Sequence, residues 1–211
     1  STFIDDRILQ VMISLSNSND YEIRQYAALA VTNIAKNMDL RNVITEEGGL
    51  EPVLYLARIE NSQIRREVLA AIATLSFVEK NKEDICFHGG MKVIIHELKK
   101  VDGDPMLSRL AFCAIANLSE RIGNMHAIVP DDAIPILIEK LRNEPTEDLS
   151  EAFRALGNLA TNIDYGLMIM KSKAVLTQLI STLTHGSADC RRMSAMALSN
   201  LAANSKFHKA M

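Results

Sequence analysis

The chain carries five histidines and three cysteines, the side chains that most readily ligate metals or act as nucleophiles near neutral pH. His88 and His96 straddle Gly89-Gly90, and a zinc site there would need its remaining ligands from distant segments. Cys113 lies in an alanine-rich stretch and Cys86 stands beside Phe87, settings for packed thiols rather than nucleophiles. Gly48-Gly49 and Gly89-Gly90 follow no strand and precede no Gly-Lys pair, so they do not read as phosphate loops. Asn117-Leu118-Ser119 matches a glycosylation acceptor by letter only, within a helical stretch. These residues predict no enzyme, no bound metal and no cofactor. What the chain does offer is amides and guanidinium groups at regular spacing. Asn33, Thr74, Asn117, Asn158 and Asn200 occupy one register; Gln25, Arg66, Arg109 and Arg192 stand eight residues before it, and Arg154 four before. An amide carries both a donor and an acceptor, so it can satisfy a peptide bond whatever side chain that peptide bears.

That register belongs to an internal repeat. Ala30-Val31-Thr32-Asn33-Ile34-Ala35 aligns without gaps to the segments starting at Ala71, Ala114, Ala155 and Ala197, and the fourth positions are spaced by 41, 43, 41 and 42 residues. Taking that position as zero, offsets −10, −6, −3, −2 and +1 are apolar or small, for example Leu107, Ala111, Ala114, Ile115 and Leu118. At about 100° per residue they form one buried stripe of a helix. Such helices are predicted over 21–37, 63–78, 106–120, 148–161 and 190–203, with Leu75, Leu118, Leu159 and Leu201 in the core. Polar breaks at 17–20, 60–62, 102–105 and 144–147 read as loop plus N-cap. Gly-Gly pairs ahead of Leu50 and Met91 allow a sharp turn between two shorter helices. Pro52 and Pro135 fit the first turn of the second of these, where a missing N–H costs nothing. Each repeat is thus a short helix, a second helix and a longer third one. A second helix near 6–15 opens the chain, and a first helix near 206–211 closes it.

Composition narrows the function. Hydrophobic residues make up 48% of 211 and charged ones 23%, with only nine glycines and five prolines. That excludes disorder and leaves ample core for a helical chain. A net charge of −3 gives no electrostatic footprint for nucleic acid. Three scattered cysteines indicate a reducing compartment. No apolar run reaches spanning length, so membrane contact is expected only through a segment outside this chain.

The repeat length, the three-helix pattern, the Gly-Gly turn and the recurring Ala-Leu-x-Asn-Leu core resemble the armadillo repeat family over essentially the whole chain; a HEAT array is the near alternative. The resemblance implies an all-α, right-handed superhelical solenoid: a single domain over 1–211 of about five repeats, cut within a repeat at both ends, and a monomer. It also implies that the third helices line a concave groove where Asn33, Thr74, Asn117, Asn158 and Asn200 bond the backbone of an extended peptide. Gln25, Arg66, Arg109, Arg154 and Arg192 would flank that peptide. Two readings of the asparagines stay open, groove contacts or structural bonds to their own backbone or a neighbouring helix. The arginines allow an acidic ligand or an ordinary solvated face beside Glu22, Glu67, Glu151 and Asp189. The chain has no tryptophan, which argues against the importin-α style of lysine-clamping groove. Its undecorated repeats look most like the N-terminally acylated scaffolds that tether organelles or motors, the vacuole-anchored type and the armadillo-repeats-only protein of apicomplexan parasites. The expectation is a cytoplasmic protein-binding adaptor on the cytosolic face of an organelle. The alternative is the regulatory or targeting armadillo domain of a larger enzyme, such as a ubiquitin ligase or exchange factor.

Overall fold

The computed structural model describes residues 6–59, 61–100, 104–120, 129–143 and 149–203. Among them every regular element is an α-helix and no strand occurs. The helices fall into two compact units, Ser1–Glu97 and Leu98–Met211. Unit 1 holds α1 (Asp6–Leu15), α2 (Tyr21–Ala35), α3 (Arg41–Glu46), α4 (Leu50–Leu56), α5 (Ser62–Leu75), α6 (Glu79–Phe87) and most of α7 (Gly90–Lys100). Unit 2 holds α8 (Pro105–Leu118), α9 (Ala133–Asn143), α10 (Ser150–Leu159), α11 (Ile163–Lys171), α12 (Lys173–His185) and α13 (Ala188–Ala203). The opening helix and the five third helices, α2, α5, α8, α10 and α13, lie within two residues or so of their predicted limits. The closing helix expected near 206–211 and the break at 144–147 lie outside the described residues.

Local chemistry sets the ends. Asp20 caps α2 by accepting from the backbone N–H groups of Glu22 (2.9 Å) and Ile23 (3.0 Å). Asp104 caps α8 through Leu107 N–H, with Pro105 in the first turn, so donors that a helix start leaves unpaired are satisfied. The Gly-Gly turns divide their labour. Gly48 and Gly89 sit at φ of +83° and +82° with open space around them, so glycine is needed there for the left-handed backbone. Gly49 and Gly90 have ordinary φ, but a Cβ would stand 3.0 Å from the Ile44 carbonyl oxygen and 2.7 Å from that of Ile85. There the missing side chain is what lets the second helix start against the end of the first.

Leu75, Leu118, Leu159 and Leu201 are all fully buried, as is the rest of the predicted stripe on α8. The buried arc is wider than that stripe. Offset −5 is Ala28, Leu69, Phe112 and Phe153 in the first four repeats, and offset −1 is Thr32, Ala73, Ala116 and Gly157; all eight are buried. On α13 the same offsets, Ala195 and Ser199, are exposed. Within each unit a third helix is covered by its own repeat and by the third helix that follows, as α2–α5 in unit 1 and α8–α10 and α10–α13 in unit 2 show. The other side of the array behaves conversely. Ile23, expected in the buried stripe of α2, is 46% exposed, and Tyr26 beside it is 70% exposed. Among the described residues no third helix precedes α2 to cover them.

Candidate functional site

The predicted site residues are distributed over the third helices. In unit 2, α8, α10 and α13 pack side by side and bring Asn117, Asn158 and Asn200 into consecutive positions. The packing is closest between α10 and α13. A Cβ on Gly157 would come within 2.8 Å of Met196 Cε and 3.1 Å of Ala197 Cα. Across these contacts Asn158 Nδ2 donates to the Ala116 carbonyl (2.8 Å) and Asn200 Nδ2 donates to the Gly157 carbonyl (2.8 Å). Both acceptors lie in the last turn of their helices, where the intrahelical backbone pairing runs out; the Ala116 carbonyl also accepts from Ser119 Oγ at 3.2 Å. At these two positions the asparagine nitrogen thus bonds the C-terminal turn of the preceding third helix. Among the described residues, the Oδ1 atoms of Asn158 and Asn200 have no hydrogen-bond partner.

Asn117 is different. It is 2% exposed, and its Oδ1 accepts from Arg154 Nη2 at 2.7 Å while its Nδ2 lies 3.9 Å from Cys113 Sγ. The same guanidinium holds Glu151 by two bonds, Nε at 3.0 Å and Nη2 at 2.5 Å from Oε2. Arg192 pairs with Asp189 at 3.2 Å, both largely exposed. Two of the four predicted arginines therefore carry a carboxylate one turn earlier on their own helix, and Arg109 stands exposed on α8.

In unit 1 the register is sparser. Asn33 is exposed on α2 and Gln25 half-exposed on the same helix. Thr74 is buried, its hydroxyl donating to the Ala70 carbonyl four residues back. Arg66 is exposed on α5. Lys36 and Glu67, which were not singled out as a pair, form an ion pair between α5 and the end of α2. Their separation of thirty-one residues carries no local sequence signal, which is why spacing alone missed it.

Three comparisons bear on the fold. No family model matches the sequence, and no curated protein does. Among solved structures, a designed armadillo repeat protein superposes with a TM-score of 0.74 at 22% identity, covering 96% of this chain and 87% of that one. A second, solved in complex with peptide (KR)4, gives 0.75 at 21% over 96% and 85%. A third, computationally designed for modular peptide recognition, gives 0.75 at 22% over 96% and 87%. The fold is the armadillo-repeat fold. Within it Asn158 and Asn200 stand half-buried on the third-helix face, and Asn117 is buried beside Arg154.

Among the described residues the thiols and histidines do not gather into a centre. Among the described residues no group of three His, Cys, Asp or Glu side chains could hold a metal, and no helix is long and apolar enough to cross a membrane. His88 is exposed, with Nδ1 against the Asp84 carbonyl at 2.8 Å. His96 and His185 are exposed on α7 and α12, and His126 and His208 lie outside the described residues. Burial pushes the Cys86 thiol up to about 12. It also pushes Cys113 up to about 11, with Glu151 adding to the rise and Arg154 and Arg109 opposing it. Both thiols are thus held neutral, since the folded site disfavours the thiolate. Alkylation by iodoacetamide at pH 8 should leave Cys86 and Cys113 unmodified in the native protein and label both in denaturant, as read by mass spectrometry. Because these groups bind their protons more tightly when folded, stability should fall as pH rises from about 9 towards 12.

Proposed function

We propose that the chain is a non-enzymatic scaffold that binds an extended partner peptide along the third-helix face of unit 2. The observation that carries this reading is the half-used amide. The nitrogens of Asn158 and Asn200 are fixed by the carbonyls of the preceding helix, so each Oδ1 is pre-oriented to accept from a peptide N–H at little entropic cost. Asn117 joins the row once Arg154 leaves its Oδ1. Arg109, Arg154 and Arg192 flank the path and favour carboxylates, because a guanidinium pairs with them in a bidentate way; Glu151 and Asp189 moderate that preference at the latter two. Gln25, Asn33, Arg66 and Thr74 supply the corresponding row in unit 1. One armadillo neighbour was solved with peptide (KR)4, which supports a peptide ligand in kind and supplies a basic probe.

The test is isothermal titration with (KR)4, with an aspartate-glutamate octamer, and with the peptide recovered by pull-down, at low and high salt. Arg109→Glu should weaken the acidic peptide and strengthen the basic one, and both effects should shrink at high salt as exposed charges are screened. Asn158→Ala should cost roughly 1–3 kcal/mol of affinity for the recovered partner. Unchanged binding in both variants, with loss on Glu139→Lys in α9 or Thr177→Lys in α12, would move the interface to the second helices. The finer reading is that the scaffold tethers an organelle or motor from the cytosolic side, on the strength of the resemblance described above. Expressing the complete protein with a fluorescent tag should give a membrane-associated signal; a diffuse or nuclear one overturns it.

A further inference from the structure

Unit 1 contains a concave site away from the third-helix asparagines, formed mainly by α4 and α6. Its volume of about 610 Å³ is in the range of ligand pockets. Along one wall α4 and the residues after it place Glu51, Tyr55 and Arg58; along another α6 places Lys80, Asp84 and His88, four residues apart on one face. Arg24 enters from the first turn of α2, and its side chain is held from several sides. Nε donates to Tyr55 Oη (3.1 Å) and Nη1 to the Ser18 carbonyl (2.9 Å). The guanidinium carbon lies 5.9 Å from the Tyr21 ring centre and 5.5 Å from that of Tyr55. Nη2 makes no bond among the described residues, so a pre-organised guanidinium lines the cavity with donors to spare.

The charges around this cavity are mixed and unspent. Arg58 and Lys80 have no partner among the described residues, and neither do the carboxylates of Glu51 and Asp84. Opposite charges on long side chains share one cavity without closing into pairs. A dianion such as a phosphate would be drawn by the cations and repelled by both carboxylates. A purely basic ligand would meet three cations. A ligand carrying both signs satisfies all of them, which is charge complementarity in its simplest form. Phe87, 85% exposed, follows on α6 with its ring edge-on to His88 at 5.3 Å, and so adds apolar surface beside the pocket for a ligand longer than one residue.

We propose that this pocket binds a peptide segment in which an acidic residue adjoins a basic one, the carboxylate on Arg24 and the cation on Asp84 or Glu51. The experiment is an amide-shift titration of the full isotope-labelled chain. The probes are acetyl-Glu-Lys-amide, acetyl-Glu-Glu-amide, acetyl-Lys-Lys-amide and free lysine. The mixed dipeptide should move Gly48, Glu51, Asn81 and His88 on one saturating curve, roughly tenfold tighter than either single-sign peptide. Asp84→Asn combined with Glu51→Gln should erase the advantage of the mixed peptide over the acidic one. Arg24→Lys should weaken binding by roughly tenfold. Since Arg24 also ties the start of α2, Arg58→Gln serves as a variant with no structural partner and should weaken binding severalfold with an unchanged spectrum elsewhere. Equal binding of a single-sign dipeptide overturns the proposal, as does a titration that never saturates or that maps to Asn158 and Asn200. Free lysine binding as tightly as the dipeptide overturns the peptide assignment.

Discussion

Gly157→Leu should abolish the close seat of α13 on α10 and lower stability by roughly 3 kcal/mol or more, at the upper end of what overpacking costs. The first added carbon already meets Ala197 Cα at 3.1 Å, a backbone atom that cannot rotate away. The displaced helix would also pull Asn200 from the Gly157 carbonyl, leaving two polar groups without their bond. Urea unfolding followed by circular dichroism, compared with Asn200→Ala, measures the two contributions. Asn200→Ala should cost only about 0.5–1.5 kcal/mol, the net worth of one hydrogen bond. A Gly157→Leu protein as stable as wild type would mean that α10 and α13 are not in contact in solution.

Phe153→Ala should be nearly as damaging. Phe153 is fully buried on α10, where packing has neighbours on both sides, α8 and α13. Emptying that volume should cost about 3–5 kcal/mol, against about 2–5 for Leu118→Ala, because neighbours relax only partly into the cavity. The same urea experiment reads it, and a loss below about 1 kcal/mol would show that the space collapses freely.

Phe153 also marks where sequence reasoning stopped. The repeat register, the three-helix unit, the Gly-Gly turns and the leucines at offset +1 were legible because each is a local pattern repeated several times. Offset −5 was not, since on α2, α8 and α10 the next third helix packs alongside, a contact about one repeat away. Its residues, alanine, leucine and two phenylalanines, share only their lack of polarity. Ile23 fails for the mirror-image reason: the pattern assigns it to the core, but nothing among the described residues covers that side of α2. At the candidate site the asparagine register was plain and the division of the amide was not. Which half of Asn158 bonds a helix depends on where the Ala116 carbonyl lies, and no spacing rule contains that position. The Arg154 contact to Asn117 Oδ1 likewise spans 37 residues. The pocket on α4 and α6 was invisible for the same cause, its charges being gathered from α2, α4, α6 and the turn after α4.

The amide staples also bear on how the chain is built in time. The Asn158 and Asn200 bonds span 42 and 43 residues, one repeat each. Closing a loop of that size carries only a modest entropic penalty, which grows slowly with length. Within unit 2, a nascent chain leaving the ribosome can therefore seat α10 on α8 and then α13 on α10, each arrival adding one asparagine bond to a helix end already in place. In that stretch folding can follow the direction of synthesis, with one third helix acting as the template for the next.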